Sequence, residues 1–170
     1  MPNIELVSLK DINCLEELPE EKDTLQGNAQ QKAEYVYQNY GVPCFADDTG
    51  LLIDALNGAP GVFSARYSGP ECDPEKNMDL VLQNLSGIKE REARFKTVIC
   101  LFDEQGPKFF EGEVLGEILT ERTGNEGFGY DPIFKPKGFE LSFAQMSIKD
   151  KNIISHRGRA VKKLVEFLGE

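Results

Sequence analysis

The stretch Val42-Pro43-Cys44-Phe45-Ala46-Asp47-Asp48-Thr49-Gly50-Leu51 sets two carboxylates, a hydroxyl and a glycine between two apolar runs. Val42–Ala46, entered past Gly41 and Pro43, reads as a short buried strand. Leu51–Leu56 reads as a second strand, closed by the turn signal Asn57-Gly58. Asp47 and Asp48 then fall at a strand tip, where burial without a partner costs on the order of several kcal/mol. Backbone donors, a basic side chain or a metal ion must supply that partner. Carboxylates so placed suit Mg²⁺, which takes one or two protein carboxylates and completes its shell with water and substrate phosphates. The plainer alternative is an Asx-turn in which Asp48 bonds the backbone of Thr49-Gly50.

Outward from this centre, Leu25, Ala29, Ala33, Val36 and Tyr40 recur at helical spacing. The helix they define is capped by Asp23 or Thr24 and stopped by Gly41. Gly27 near its start weakens helix propensity by roughly 1 kcal/mol against alanine, which points to a packing or ligand reason. Before it, Asn3–Leu9 alternates weakly and reads as a strand, and Lys10–Lys22 as an exposed connection. After the centre, Ala59–Tyr67 is a small-residue loop in which Arg66 reads as a surface residue. Asp73-Pro74 then opens a helix with Met78, Val81, Leu82 and Leu85 as its stripe and Gly87 at its end. Ala93, Phe95, Thr97, Ile99 and Leu101 share one face of a longer strand. Asp103–Gly106 turns the chain, and Lys108–Leu119 returns antiparallel, its Gly112 and Gly116 read as bulges or a bend. Pro132, Pro136, Phe134, Phe139 and Phe143 mark an irregular aromatic section. Ser147 caps a short helix, and an amphipathic helix bearing Ala160, Val161, Leu164, Phe167 and Leu168 follows. Residues 1–170 therefore read as one α/β domain, with no repeats or linkers.

With 170 residues the chain can bury a real core without disulfides. Its four cysteines show no C-x-x-C pair and read as reduced, mostly buried thiols of a cytoplasmic protein. No window approaches the apolar length of a membrane span. A net charge of −10 argues against binding nucleic-acid polymers. Yet Lys149–Lys163 holds six Lys or Arg against the single acid Asp150, a local +5 that suits a small polyanion. The plainer reading of that patch is a solvated helix face.

Two further segments carry chemistry. In Thr123-Gly124-Asn125-Glu126-Gly127-Phe128-Gly129-Tyr130-Asp131-Pro132, three glycines surround Phe128. They let the backbone approach a ligand and present a ring that can stack on a base, a contact worth roughly 1–3 kcal/mol in single-strand binders. The competing reading is an Ω-loop whose Phe and Tyr fold back on its own core. In Lys151-Asn152-Ile153-Ile154-Ser155-His156-Arg157-Gly158-Arg159, the one histidine of the chain stands beside Arg157 at a helix start. Ser155 is placed there as N-cap, where helix N–H groups favour an anion or acceptor.

Together with Gly58-Ala59-Pro60-Gly61-Val62-Phe63-Ser64-Ala65-Arg66, these segments closely resemble the inosine/xanthosine triphosphate pyrophosphatase family, in order and over essentially the whole chain. The resemblance implies a two-lobed α/β domain around a long mixed β-sheet, a cleft between the lobes, and a homodimer. It implies Mg²⁺-dependent cleavage of deaminated purine nucleoside triphosphates between the α and β phosphates. Carried onto this sequence, Asp48 matches the general base and metal-linked carboxylate, Asp47 its neighbour and possible second ligand, and Thr49 a substrate contact. Phe128, Gly129, Tyr130 and Asp131 match the nucleotide-binding loop. Lys151, His156 and Arg157 match the groups that hold the base edge and a nearby phosphate. Lys and Arg only donate, which suits a 6-keto oxygen and not adenine's 6-amino group.

Two departures stand out. The family's N-terminal strand, Thr/Ser-x-Asn-x-x-Lys phosphate loop and helix have no counterpart before Ile4. Gly27 stands where many relatives carry a metal-binding glutamate. A catalytically weakened or inactive nucleotide-binding protein is therefore the alternative expectation, with metal binding resting mainly on Asp48.

Overall fold

The computed structural model of the chain describes residues 4–169. Helix α1 (Leu25–Tyr40) forms as its caps dictate. Thr24 accepts from Gly27 N, and Gly41 takes a left-handed φ of 69° while its N–H bonds Tyr37 O. Its stripe of Leu25, Ala29, Ala33 and Val36 is buried, whereas Tyr40 stays partly exposed. The reason for Gly27 is packing: a Cβ there would lie 2.8 Å from Lys22 Cβ and 2.9 Å from Thr24 Oγ1.

Strand β1 (Cys44–Ile53) corrects the two-strand reading of this region. It runs unbroken through Asp47-Asp48-Thr49-Gly50, so the carboxylates sit mid-strand and no Asx-turn forms. Asp54–Leu56 is a 3-10 turn rather than strand, ended by Asn57 in the left-handed region (φ 53°). The physical reason is that each carboxylate finds a cation on its own face of the sheet, so polarity does not end the strand.

Helix α2 (Pro74–Asn84) is capped by Asp73, which accepts from Glu75 N and Lys76 N. Strands β2 (Glu92–Asp103) and β3 (Gly106–Ile118) make the expected hairpin, and β4 (Phe134–Pro136) adds a short edge. The sheet order is β1-β2-β3-β4, and every pairing among the described residues is antiparallel, where the resemblance implied a mixed sheet. The register of β2 with β3 is continuous through Thr97↔Gly112 and Ala93↔Gly116, so neither glycine is a bulge. Both are close-approach sites: a Cβ on Gly112 would meet the backbone of His156 and Ala160, and one on Gly116 the carbonyl of Lys135. Helices α3 (Ile148–Ile154), capped by Ser147, and α4 (His156–Gly169) close the chain.

The strand expected over Asn3–Leu9 is absent. Asn3 lies outside the described residues, and residues 4–8 pair with nothing in the sheet. Their alternation is weak, and Leu6 and Val7 remain exposed.

Both faces of the sheet are covered. On one, α1 packs Leu25, Ala29 and Ala33 against Val98 and Cys100. On the other, Ala160 and Leu164 of α4 meet Ile99 and Leu101. The largest cluster joins Leu51, Ile53 and Phe95 to Met78, Val81 and Leu85 of the α2 region and to Phe134 and Phe143. Val98, Ile99 and Cys100 are consequently all buried, as expected of a strand covered on both sides.

Candidate active site

Between β1, the start of α4 and the glycine-rich loop lies a cavity of about 460 Å³, lined among others by Asp47, Asp48, Thr49, Phe128, Asp131 and Arg157. Gly129, Tyr130 and His156 also border it, and a larger hollow of about 730 Å³ shares Phe128, His156 and Arg157 and contains Lys151. The three segments singled out in the sequence therefore converge.

Successive residues of a strand point to opposite faces, and this separates the two aspartates. Asp48 faces α1, where Lys32 Nζ donates to Oδ1 at 3.2 Å and Asn28 Nδ2 to Oδ2 at 3.3 Å. Lys32 is shared with Glu20 at 2.6 Å, and Glu20 in turn lies 3.6 Å from Arg66. Burial pushes the Asp48 carboxyl above its ordinary range. The Lys32 ammonium and the Asn28 amide hold that rise back, and Glu20 adds to it. Asp47 faces α4, and its Oδ2 accepts from Arg157 Nη2 at 3.1 Å and from Thr49 Oγ1 at 3.3 Å. Arg157 Nη2 also reaches Thr49 Oγ1 at 3.4 Å.

Among the described residues no three His, Cys, Asp or Glu side chains converge as a metal cluster. Asp48 and Glu20 nonetheless aim oxygens at one cationic position, now filled by the Lys32 ammonium. Such a donor set fits a hard divalent cation that keeps most of its shell as water and phosphate.

The glycine-rich loop satisfies both readings made of it, one residue each. Tyr130 folds back: it is buried and its hydroxyl donates to Ser64 O at 2.8 Å. Phe128 does not, and 68% of it is exposed. Lys151 Nζ and Arg157 Cζ lie 5.0 and 5.9 Å from its ring centroid. Asp131 is buried, accepts from Phe128 N at 2.8 Å and pairs with Lys151. A Cβ on Gly127 would collide with the Asp131 carboxylate, so glycine is required for that N–H···O bond to close the loop.

Ser155 Oγ accepts from Gly158 N at 3.1 Å, the N-cap bond expected of it. His156 is only 5% exposed and stacks on Phe95, with centroids 4.7 Å apart and planes at 16°. Its Nδ1 has no partner among the described residues. Burial first, then Arg157 and Lys151, push its pKa from 6.5 down to about 3, against a small opposing pull from Asp47. The unfolded chain thus binds a proton near pH 6.5 that the folded chain refuses until about pH 3. Stability should fall as pH drops through that window, by up to about 1.4 kcal/mol per pH unit. In urea melts at pH 7, 6 and 5, His156→Phe should lose that slope relative to wild type. An identical slope in both proteins would mean that His156 takes up its proton as readily in the fold as in the unfolded chain.

The basic patch divides. Only Lys151 and Arg157 face the site. Arg159 donates to Glu113 O and Lys163 to Glu111 O, each at 2.7 Å, satisfying carbonyls of β3 where β4 no longer pairs with it. The sequence reading missed Asn28, Lys32 and Glu20. Asn28 and Lys32 stand four apart beside the apolar stripe of α1, and that spacing was their available signal. Glu20 has none, because its position depends on an irregular segment.

A half-buried strand carboxylate, an opposed arginine and a presented aromatic around one cavity define the class: an α/β protein with a nucleotide-hydrolase type of cleft. The comparisons narrow it, for residues 1–167 match the Ham1 family, and the chain belongs to that family. It is 52% identical over 166 residues to a dITP/XTP pyrophosphatase of Flavobacterium johnsoniae, covering 98% of this chain and 86% of the relative. A dITP/XTP pyrophosphatase of Porphyromonas gingivalis is likewise 52% identical, with coverage of 97% and 86%. The fold of this chain matches the solved Ham1 protein of Staphylococcus aureus with a TM-score of 0.95 at 36% identity, covering 99% of this chain and 88% of that one.

Proposed function

We propose that this chain hydrolyses deaminated purine nucleoside triphosphates (ITP, dITP and XTP) to the nucleoside monophosphate and pyrophosphate. The observation that carries the reading is the convergence of Asp48, Thr49, Phe128, Asp131 and Arg157 on one cavity. It is supported by relatives, half identical to this chain, that are named dITP/XTP pyrophosphatases. Phe128 offers a stacking face to the base. Lys151 donates and Asp131 accepts side by side, which matches the O6 acceptor and N1–H donor of hypoxanthine or xanthine and opposes adenine on both counts. Arg157, with Thr49, holds phosphate oxygens. Asp48 takes the proton of the water that adds across the α–β anhydride, and pyrophosphate leaves. Mg²⁺, when bound at Asp48, supplies charge neutralisation for the polyphosphate. A homodimer in the cytoplasm completes the reading, and the free thiols of Cys14, Cys44, Cys72 and Cys100 suit such a reducing compartment.

The test is pyrophosphate release from ITP, dITP, XTP, GTP and ATP with Mg²⁺ and with chelator. ITP should exceed ATP in kcat/KM by roughly 10²-fold or more, the scale on which a polar edge is discriminated. Binding without release would return the protein to the inactive nucleotide-binder alternative, and equal turnover of ATP would remove the base-edge reading. Because Lys32 lowers the Asp48 pKa, Lys32→Met should move the acid limb of the kcat/KM profile to higher pH. A limb that stays put or moves down would detach that limb from Asp48.

A further inference from the structure

Three residues line up across the sheet in one row: Thr49 pairs with Thr97, and Thr97 with Gly112. We infer that Thr97, a residue of β2 two strand positions from Phe95 and outside the three segments that converge on the cavity, is a positioning residue for Thr49 and Arg157, an inference that rests on the hydrolase reading. Thr97 is completely buried, and its Oγ1 lies 2.6 Å from Thr49 Oγ1. No other side-chain hydrogen bond of Thr97 exists among the described residues. A hydroxyl carries one proton and two acceptor sites. If Thr97 accepted from Thr49, its own proton would be stranded in the interior, a cost that folded proteins avoid. Thr97 therefore donates. The Thr49 hydroxyl, with that lone pair filled, turns its proton to Asp47 Oδ2 at 3.3 Å and leaves its second acceptor site to Arg157 Nη2 at 3.4 Å.

The result is a fixed order of donors, Thr97 to Thr49 to Asp47, with Arg157 clamped to both members of the exposed end. The Asp47 side chain is 41% exposed and that of Arg157 44%, so neither is held in place by burial. The buried threonine anchors the chain at its dry end. Asp48 lies on the opposite face of β1, so a change at Thr97 reaches substrate holding and leaves the proton acceptor alone.

The experiment compares wild type, Thr97→Val and Thr97→Ser in ITP hydrolysis and in thermal melts. Valine keeps the shape and removes the hydroxyl; serine keeps the hydroxyl. Thr97→Val should raise KM for ITP by roughly three- to tenfold, the usual worth of one hydrogen bond, with kcat within about twofold. Thr97→Ser should return KM to near wild type. An unchanged KM in Thr97→Val, or equal losses in both variants tracking a lower Tm, would overturn the inference. If the valine protein does not fold, Thr97→Cys, a weak donor of similar shape, is judged by the same KM and kcat criteria. A wild-type protein that binds ITP without releasing pyrophosphate instead sinks the hydrolase reading on which the inference rests.

Discussion

Asp48→Asn is expected to lower kcat for ITP by about 10²–10⁴-fold, the range associated with a positioned general base, while nucleotide binding survives. The variant keeps the shape of the side chain, and its amide oxygen can still accept from Lys32 or from Asn28. What it removes is the capacity to take a proton. The direction of the Asp48 pKa adds a second expectation. Burial disfavours the charged carboxylate in this position, and Lys32 only partly offsets that. A group whose folded pKa is raised contributes stability that is lost as pH rises through that pKa. At neutral pH the ionised side chain is thus a net cost to the fold, and Asp48→Asn should melt no lower than wild type. Lys32 is not orphaned by the change, since it retains Glu20 at 2.6 Å. Isothermal titration with ITP, pyrophosphate release and a thermal melt on the same preparation separate the cases. An unchanged rate removes Asp48 from the chemistry, and a large drop in Tm makes its role structural.

The same residue shows where sequence reading of this chain succeeds and where it stops. Helix α1 was legible because its ends are local: Thr24 and Gly41 act on backbone groups three or four residues away. The β2–β3 hairpin was legible for a similar reason, since Asp103–Gly106 supplies its turn. Strand β1 was misread because its continuity through Asp47 and Asp48 is not local. Lys32 lies 16 residues before Asp48, and Arg157 lies 110 residues after Asp47. A strand that receives one cation from each of two helices carries no mark of it in its own neighbourhood. The motifs around Phe128 and His156 identified the site, but the split between Tyr130, which anchors, and Phe128, which projects, depends on Ser64 in the distant 3-10 turn Gly61–Arg66.

Gly112→Ala should cost activity out of proportion to stability, for a reason equally hidden from local pattern. A Cβ there would sit 2.6 Å from Ala160 N and closer still to the carbonyl of His156. Both are backbone atoms within the first five residues of α4, so no rotamer change relieves the contact, and helix or strand must move. Beyond the contact the helix is held by Lys163 on Glu111 O. Displacement therefore concentrates at its start, where His156 and Arg157 face the cavity. Overpacking of this kind typically costs about 1–3 kcal/mol, or roughly 2–12 °C of Tm at this chain length. Misplacing positioning groups by about 1 Å costs on the order of 10²-fold in rate, so kcat/KM should fall well beyond what the lost stability explains. Gly116→Ala is the control. Its Cβ would strike the carbonyl of Lys135 and the Phe134 ring, away from the cavity, so Tm should fall with kcat/KM nearly intact below the melt. If the two variants lose activity in equal measure for equal loss of Tm, close approach at Gly112 serves packing alone and does not set the position of Arg157.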